Sequence, residues 1–159
     1  MKRVNITCGD NYWSIELPEI FNEKIEEGNC GEHVFWTNIN DLTLRITPWH
    51  FERSVEGNVV FAPVEELKHI FMESAIKALF NTDEECDVDD RLLENLSDFE
   101  KVAYKRVFWD ESDGKETYHI CIGIFKVGEM LSFNIFGTDE SECKDALKHL
   151  RTLAFSGRQ

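Results

Sequence analysis

The sequence predicts an α+β fold, in which a single antiparallel β-sheet carries two main helices packed on it. Two observations support this prediction. Three β-rich runs joined by short turns lie between residues 100 and 138, and an amphipathic helical pattern lies on each side of them. Strands that follow one another through short turns usually pair antiparallel. A chain of 159 residues is expected to form one domain, spanning residues 1–159.

The three runs cover residues 100–109, 117–126 and 130–136 and form a predicted meander. In the first run, side chains alternate with the period of two that places them on opposite faces of a sheet. Asp113-Gly114 supplies a pair that tolerates positive φ in a hairpin turn. Val127-Gly128-Glu129 then turns the chain again, so the middle run should be the central strand of the three.

The N-terminal part contains four shorter runs with strand-like alternation, at residues 4–6, 13–17, 33–36 and 42–47. The first two should form a hairpin. Between them and the later runs, residues 18–31 are polar and predict a loop with room for one helical turn. Residues 48–62 are predicted to be irregular and are unusually aromatic.

Two helices are predicted from apolar residues that recur at steps of three and four. Pro63 suits the first position of a helix that continues to about Phe80, because the first turn does not need its missing N–H. Asp139 and Glu142 have the spacing of a capping box at the start of the second helix. The buried face of this helix is expected at Cys143, Ala146, Leu147, Leu150, Leu153 and Ala154.

The composition is strongly acidic, with 17 Lys plus Arg against 31 Asp plus Glu and a formal net charge of −14. Such a charge repels phosphate backbones, so no nucleic-acid partner is expected, and it attracts basic proteins. Solubility alone is the alternative interpretation. No apolar run approaches the roughly 20 residues that span a bilayer, so no membrane insertion is expected. Five cysteines without a framework spacing predict reduced thiols in a cytoplasmic protein.

Catalytic signatures are missing from the sequence. No Gly-rich loop precedes a helix, and no nucleophile elbow or zinc-protease spacing occurs. We therefore predict a non-enzymatic protein without a cofactor. Cys30 and His33 have the spacing of half a zinc site, but no second pair completes it. His119 and Cys121 share a strand face, and we interpret them as a surface imidazole beside a packed core thiol rather than as a nucleophile pair.

Two sets of residues are candidates for partner binding. The first is an acidic run that could dock a basic protein, formed by Asp83, Glu84, Glu85, Asp87, Asp89 and Asp90. A solvated loop is the simpler interpretation, and a Ca²⁺ site lacks the required Gly and terminal Glu. The second set is aromatic, with Trp36, Trp49 and Phe51 beside the irregular segment, as in binding hot spots. Alternatively, Trp49 and Phe51 cap the core.

The opening motif Trp13-Ser14-Ile15-Glu16-Leu17-Pro18-Glu19 has the form W-x-I-x-L-P-E. With the central helix, the meander and the final acid-started helix, the chain resembles the fold shared by the photosystem PsbP proteins, the Ran-binding Mog proteins and bacterial DcrB. This resemblance covers nearly the whole chain and implies a binding protein without catalytic residues. One bacterial branch, the Eag proteins, escorts type VI secretion effectors by holding their membrane segments. Unlike DcrB-type lipoproteins, the chain shows no lipobox or signal, so no envelope role is expected.

These observations predict a bacterial cytoplasmic protein that works by binding another protein, most concretely an immunity-type protein that neutralises a basic toxin or a similar partner. The first alternative is an Eag-type secretion-effector chaperone that binds hydrophobic helices in an apolar groove. The second alternative is an enzyme whose site is assembled from distant residues, which requires histidine and carboxylate side chains that converge in a pocket.

Overall fold

The computed structural model describes residues 1–9, 11–26, 31–39, 41–75 and 99–157. Within these ranges the strands form a six-stranded sheet, a three-stranded sheet and a two-stranded hairpin, and every strand pair is antiparallel. The predicted α+β class with antiparallel strands is confirmed. The prediction of a single sheet is wrong, and the second helix ends earlier than predicted.

The described strands are β1 (Lys2–Cys8), β2 (Asn11–Leu17), β3 (Asn22–Glu26), β4 (Glu32–Trp36), β5 (Thr43–His50), β6 (Glu52–Val55), β7 (Asn58–Phe61), β8 (Glu100–Asp110), β9 (Lys115–Lys126), β10 (Glu129–Gly137) and β11 (Ala154–Ser156). Helix α1 (Val64–Ile70) continues as a π-helical segment, Phe71–Ala75. Helix α2 (Glu140–Ala146) continues as a 3₁₀ segment, Leu147–Thr152.

The six-stranded sheet has the order β3-β4-β5-β10-β9-β8, and the smaller sheet has the order β1-β2-β11. The predicted meander is confirmed as β8-β9-β10. Its last strand also pairs with β5, in a register that places Asn134 opposite Arg45. The N-terminal and C-terminal strands therefore share one sheet, and β10 is buried on both faces as a central strand.

Two segments predicted to be loops are strands. Strand β3 lies within the predicted loop 18–31, and the hairpin of β6 and β7 lies within the predicted irregular segment 48–62. Both were missed because their side chains are mostly exposed, which leaves no alternation of apolar and polar residues to detect. The hairpin turn is Glu56-Gly57, and both residues have positive φ, as a type I′ turn requires.

The helix boundaries differ from the prediction at two points, the start of α1 and the end of α2. Pro63 has extended backbone angles and is the N-cap of α1 rather than its first helical residue. The predicted helical residues 76–80 lie outside the described ranges. Asp139 is the predicted cap of α2, and its carboxylate accepts a hydrogen bond from the Glu142 backbone N–H at 3.1 Å. Leu153 follows the 3₁₀ segment and Ala154 begins β11, so neither is helical.

The main core lies between the two sheets. The inner face of the six-stranded sheet, defined as the face toward β1-β2-β11, packs against the small sheet and α2. Trp13 of β2 is fully buried there and makes edge-on contacts with the rings of Phe99 and Phe155 at 5.1 and 5.0 Å. The opposite, outer face receives α1, whose Leu67 packs with Phe125 in a second cluster. The two helices thus lie on opposite faces of the large sheet.

The cysteines agree with the prediction only in part. Cys121 and Cys143 are buried thiols outside any disulfide. The expectation of reduced thiols is wrong for Cys8, which is disulfide-bonded to a partner outside the described residues. In the ranges given above, no helix is both long enough and apolar enough to cross a bilayer.

Candidate functional site

A groove of about 320 Å³ opens on the outer face of the large sheet, beside the β8–β9 turn and the β4–β5 connection. We call it the acidic groove. It is lined by Asp41, Thr43, Arg45, Phe108, Asp110, Asp113, Lys115, Thr117, Phe136, Gly137 and Thr138. Four strands contribute to it, because alternate residues of β5, β10, β9 and β8 point to the same face.

Two aromatic rings stand on either side of β9 in this groove, Phe108 on β8 and Phe136 on β10. The Phe136 ring stacks on the imidazole of His119, with centroids 4.2 Å apart and an interplanar angle of 11°. The guanidinium of Arg106 lies 4.2 Å from the Phe108 ring centroid. Both rings are therefore held in place from one side by a neighbouring side chain.

The cations of the groove lining are already paired. Lys115 Nζ lies 2.7 Å from Asp41 Oδ2, which joins the β8–β9 turn to the β4–β5 connection. Arg45 Nη1 donates to Glu32 Oε1 at 2.5 Å and lies 3.6 Å from Glu26 Oε2. These contacts neutralise the positive charge at the groove locally.

Asp110 and Asp113 supply further negative charge to the groove lining. The hydrogen bond and charge of Asp41 raise the pKa of Lys115, and the nearby charge of Asp113 adds to that shift. Asp110 Oδ1 accepts a hydrogen bond from the Ser112 backbone N–H at 2.9 Å, which stabilises the β8–β9 turn. Among the residues that the structure describes, no Lys or Arg nitrogen lies within 4 Å of either carboxylate. The groove thus combines aromatic surface with carboxylates that can accept a cation.

A chain of buried hydrogen bonds lies beneath the groove. Arg106 Nε donates to His119 Nδ1 at 2.9 Å, the Nε2 of His119 donates to Asn134 Oδ1 at 2.8 Å, and Asn134 Nδ2 donates to Ser132 Oγ at 3.1 Å. The pKa of His119 is lowered from 6.5 to about 4, and burial is the largest cause. The hydrogen bond to Asn134 opposes this shift, and the charge of Arg106 adds to it. The imidazole is therefore neutral at physiological pH.

The sequence-based placement of His119 on the surface is wrong, because His119 is fully buried. Its side chain is covered by Phe136 and hydrogen-bonded on both nitrogens, which removes it from solvent. Cys121 shares the outer face with it, as predicted, and lies opposite Asn134. His119 positions the groove's side chains and is not itself exposed to a partner.

The three predicted aromatic binding residues separate into different environments. Trp36 is 37% exposed and lies opposite Thr43, one strand away from the acidic groove. Trp49 is 44% exposed on the same outer face, but six residues further along β5, at a distance of about 20 Å. Phe51 packs against the second core cluster, in line with the capping alternative. Trp36 is thus the member of the set that adjoins the groove.

Other predicted site residues lie elsewhere. Asp83, Glu84, Glu85, Asp87, Asp89, Asp90 and Cys30 lie outside the described residues. His33, the other half of the considered zinc site, is buried, places Nδ1 3.0 Å from Glu23 Oε1 and stacks on Phe35. Within the described part of the chain, no three His, Cys, Asp or Glu side chains are arranged to hold a metal ion.

A second cavity, which we call the interfacial cleft, has a volume of about 520 Å³ and lies where β1, β2 and β11 meet the ends of β5 and β10. Here His50 Nδ1 lies 2.5 Å from Glu129 Oε1, and His50 Nε2 lies 2.9 Å from Glu52 Oε2. Asn11 Nδ2 donates to Glu129 Oε1 at 2.9 Å. Lys126 Nζ lies 4.1 Å from the centroid of the Phe155 ring.

His50 and Glu129 each affect the pKa of the other. Burial acts to lower the pKa of His50, but the hydrogen bonds and charges of Glu52 and Glu129 outweigh it, and the pKa is raised. Burial raises the pKa of Glu129, and the contacts with His50 partly offset that shift. Each imidazole nitrogen of His50 contacts a carboxylate, so neither nitrogen is available to act on a substrate. We call the arrangement of His50, Glu52 and Glu129 the charge clamp, because it links side chains of different strands.

Sequence reasoning missed Phe108, Phe136 and the His50–Glu129 pair. One feature of the sequence could have indicated the groove. The predicted turn after the first meander strand carries four acidic residues within the seven positions 110–116. The charge clamp had no such feature, since His50 and Glu129 are 79 residues apart and meet only through the pairing of β5 with β10.

Comparisons with known proteins bear on the fold alone. No family model and no curated protein matches the chain. It is similar to a crystal structure from Bacteroides thetaiotaomicron VPI-5482 solved at 1.50 Å, with a TM-score of 0.60 and 14% sequence identity over 96% of this chain. That match covers 49% of the crystallised protein, so this chain spans about half of its length. The resemblance to the PsbP, Mog and DcrB proteins stays a prediction, and the chain shares a fold with a Bacteroides protein twice its size.

Proposed function

We propose that this chain is a non-enzymatic protein-binding module that docks a basic partner on the outer face of its large sheet, at the acidic groove and Trp36. The observation that carries the proposal is the combination of Asp110 and Asp113, which have no ion-pair partner among the described residues, with the aromatic rings of the groove. Carboxylates attract a basic partner, and buried aromatic contacts stabilise the complex after encounter.

The location of Trp36 supports the same surface. Its side chain is 37% exposed at the edge of the groove, and tryptophan is among the residues most enriched in binding hot spots. Thr43, which lines the groove, is its cross-strand neighbour on β5. An arriving protein that covers the groove would therefore also cover this indole.

The net charge of −14 supports a basic partner rather than an acidic or neutral one. A field of this sign increases the rate of encounter with a positively charged protein. An immunity-type protein that neutralises a basic toxin fits these properties, because such a protein needs fast and tight association and no chemistry of its own. The partner we propose is accordingly a basic toxin or a similar basic protein.

The proposal is tested by purifying the products of the neighbouring genes, selecting a basic protein that binds wild type, and measuring its affinity for wild type and for single tryptophan variants. Trp36→Ala should weaken binding by about tenfold or more, as expected for a hot-spot tryptophan. Trp109→Ala is the matched control, because Trp109 is 63% exposed on β8 but points to the other face of the sheet. Equal affinities for all three proteins would contradict the proposed docking face.

The chaperone alternative has less support. A groove for a hydrophobic helix should be long and apolar, whereas the acidic groove is lined by five charged side chains. A third cavity, between the 18–21 turn and α2, contains Ile20, Phe21 and Ile39 but has a volume of only about 150 Å³. A helix of several turns needs far more room than this cavity provides.

The enzymatic alternative draws its support from the interfacial cleft, where His50 converges with Glu52 and Glu129. Against it, each imidazole nitrogen already faces a carboxylate, and Glu129 is only 5% exposed. A thermal-shift screen with small acids and amines distinguishes the two interpretations. A compound that stabilises wild type but not His50→Leu would support a ligand site in the cleft.

A cytoplasmic location is part of the proposal, and the disulfide at Cys8 is the observation against it. Structural disulfides are rare in the cytosol and common in oxidising compartments. Acid-quenching the producing cells and alkylating the denatured protein tests this point. Labelling of Cys8 before reduction would support the cytoplasm, and labelling only after reduction would contradict it.

A further inference from the structure

We infer that the third cavity, between the 18–21 turn and α2, binds the phenol ring of a tyrosine from a protein ligand, with the tyrosine hydroxyl donating to the imidazole of His149. We call this cavity the phenol pocket. The inference goes beyond the proposed function, because the pocket shares no lining residue with the acidic groove. It depends on a buried imidazole that makes no hydrogen bond, on the size of the pocket and on two exposed isoleucines at its rim.

The side chain of His149 is the polar group that the pocket leaves without a partner. His149 lines the pocket, is only 5% exposed and packs its ring edge-on against Phe21, with centroids 6.3 Å apart. In the part of the chain that the structure describes, nothing hydrogen-bonds its imidazole, and its backbone oxygen accepts from Thr152. Among the described side chains, the Trp13 indole nitrogen is the atom that lacks both a partner and access to solvent, so the nitrogens of His149 remain reachable. Because buried polar groups are nearly always hydrogen-bonded, a ligand that supplies this bond is favoured.

The protonation state of His149 determines which ligand group fits. Burial lowers the pKa of His149 from 6.5, the charge of Lys148 adds to this shift, and the charge of Asp145 opposes it. The imidazole is therefore mostly neutral at pH 7, and one of its nitrogens is a hydrogen-bond acceptor. A hydroxyl can donate to that nitrogen. Glu142 and Asp145, which also line the pocket, disfavour a carboxylate in it.

The size and the walls of the pocket match an aromatic ring. Its apolar lining consists of Pro18, Ile20, Phe21, Ile39, Leu42 and Ala146. On the α2 side, Glu142, Ala146 and His149 recur at steps of four and three and share one face of the helix and its 3₁₀ continuation. The volume is about 150 Å³, the volume of an apolar protein cavity that binds benzene. A phenol fills such a space and adds one donor for His149, whereas a cationic group would lose its hydration among apolar walls.

Backbone hydrogen bonds hold the other side of the pocket in place before a ligand arrives. The Leu42 N–H donates to the Ile39 carbonyl at 3.1 Å, and the Thr37 N–H donates to the Leu42 carbonyl at 3.0 Å. In the 18–21 turn, the Phe21 N–H donates to the Pro18 carbonyl at 3.2 Å. The Thr37 hydroxyl accepts from the Ile39 N–H at 3.3 Å. A largely preformed wall of this kind is typical of ligand sites.

The rim of the pocket favours a tyrosine within a protein over a free phenol. Ile20 and Ile39 line the pocket but are 52% and 51% exposed, so a ring inside it leaves much of both side chains in water. An apolar residue next to the tyrosine would cover them. Glu142 has no ion-pair partner among the described residues, so a basic residue on the other side of the tyrosine is also favoured. Tyrosine is common at interfaces because its ring is buried while its hydroxyl finds a partner.

Three probes test the pocket on the ¹⁵N-labelled wild-type chain: acetyl-Lys-Tyr-Leu amide, acetyl-Lys-Phe-Leu amide and p-cresol. Binding is followed by amide chemical shifts. The tyrosine tripeptide should produce saturable shifts at Phe21, Leu42 and His149. The phenylalanine tripeptide lacks only the hydroxyl and should bind about three- to tenfold more weakly, the range of one neutral hydrogen bond. p-Cresol should shift the same amides but bind more weakly than the tyrosine tripeptide, because it leaves the isoleucines uncovered.

Two variants separate the hydrogen bond from the apolar contacts. His149→Phe keeps an aromatic ring but has no acceptor, so the two tripeptides should bind to it equally. Ile39→Ser should weaken both tripeptides by about threefold or more, because it removes apolar surface at the rim. Ile25→Ser is the matched control and should leave both affinities unchanged, since Ile25 is 63% exposed on β3 and does not line the pocket.

Equal affinities of wild type for the two tripeptides, or a tyrosine preference that survives in His149→Phe, would overturn the inference. The first of these comparisons uses wild type alone, so it decides the question even if His149→Phe does not fold. If p-cresol bound as tightly as the tyrosine tripeptide and Ile39→Ser changed neither tripeptide affinity, the protein ligand would be overturned in favour of a free phenol. These measurements do not involve the acidic groove, so they are distinguishable from failure of the proposed function.

Discussion

His50 and Glu129 face each other directly across the β5–β10 pair, and His50 Nδ1 lies 2.5 Å from Glu129 Oε1. Glu129 is buried, and Asn11 of the small sheet donates to the same oxygen. This cross-strand pair therefore stabilises the junction that places N-terminal and C-terminal strands in one sheet. Because the outer face of that sheet carries the acidic groove, the clamp also supports the proposed binding surface.

Replacing His50 should remove a pH-dependent contribution to stability. The pKa of His50 is raised in the folded protein, so its contribution is fully present below pH 6.5 and is lost as the pH rises through the folded pKa. His50→Leu should lower the free energy of unfolding by about 1–3 kcal/mol at pH 6, because Glu129 keeps a buried charge without its partner. The loss should be smaller at pH 8.5, as measured by urea unfolding.

Glu52→Gln is the control for this prediction, because Glu52 also contacts His50 but is half exposed. Its effect on the free energy of unfolding should stay below about 1 kcal/mol, the range of exposed ion pairs. A loss in His50→Leu that has the same size at both pH values would contradict the charge clamp.

His119 should give a pH dependence of the opposite sign. Its pKa falls from 6.5 in the unfolded chain to about 4 in the folded protein, so the unfolded state binds the proton first as the pH drops. The contribution is fully present above pH 6.5 and is lost as the pH falls toward 4, and over that window it amounts to about 3 kcal/mol. His119→Gln should flatten this slope in unfolding experiments between pH 4 and 6.5.

The His119→Gln variant should still lose some free energy of unfolding as the pH falls from 6.5 to 4. Burial also lowers the pKa of His149. Protonation of His149 at acid pH therefore favours the unfolded state, as protonation of His119 does. Arg106 and Asn134 can still hydrogen-bond a glutamine amide at position 119, so the variant should fold. An acid slope identical to that of wild type would show that His119 does not titrate as described.

Gly123 on β9 should not tolerate a side chain. A Cβ at this position would lie 2.7 Å from the Phe125 ring and 3.0 Å from the Phe71 ring, which pack beneath α1. Gly123→Ala should therefore lower the free energy of unfolding by about 1–3 kcal/mol through overpacking. Combining it with Phe71→Leu should recover part of the loss, and strictly additive effects in this double-mutant cycle would contradict the steric explanation.

Asp139 should stabilise α2 through its cap. Its side chain accepts a hydrogen bond from the Glu142 backbone N–H, so Asp139→Ala should lower stability by about 1 kcal/mol in thermal or urea unfolding. Asp139→Asn keeps an acceptor of similar capping preference and should retain most of the stability. If the asparagine variant lost as much stability as alanine, the negative charge rather than the hydrogen bond would be responsible.

The parts of the fold that were predictable are those in which local pattern and tertiary structure agree. The meander of β8, β9 and β10 was recognisable because its strands alternate and its turns carry Gly114 and Gly128, both with positive φ. The capping residue Asp139 was recognisable for a similar local reason. By contrast, β3 and the β6–β7 hairpin are mostly exposed and lack any apolar period.

The binding surface was less predictable, because long-range pairing creates it. Phe108 and Phe136 are 28 positions apart and become neighbours of one groove only once β9 lies between their strands. Trp36 joins them through the pairing of β4 with β5 and of β5 with β10. No spacing rule in a single sequence encodes those registers, which depend on complementary burial across the whole sheet.

The salt dependence of association tests the central claim most directly. A basic protein that binds wild type is first isolated by pull-down from the native lysate. The rate at which it binds wild type is then measured by stopped-flow fluorescence in a series of sodium chloride concentrations from low to high ionic strength. If negative potential at the outer face steers the partner, the association rate should fall by about tenfold or more across the series. A rate that stays constant from low to high salt would contradict the account.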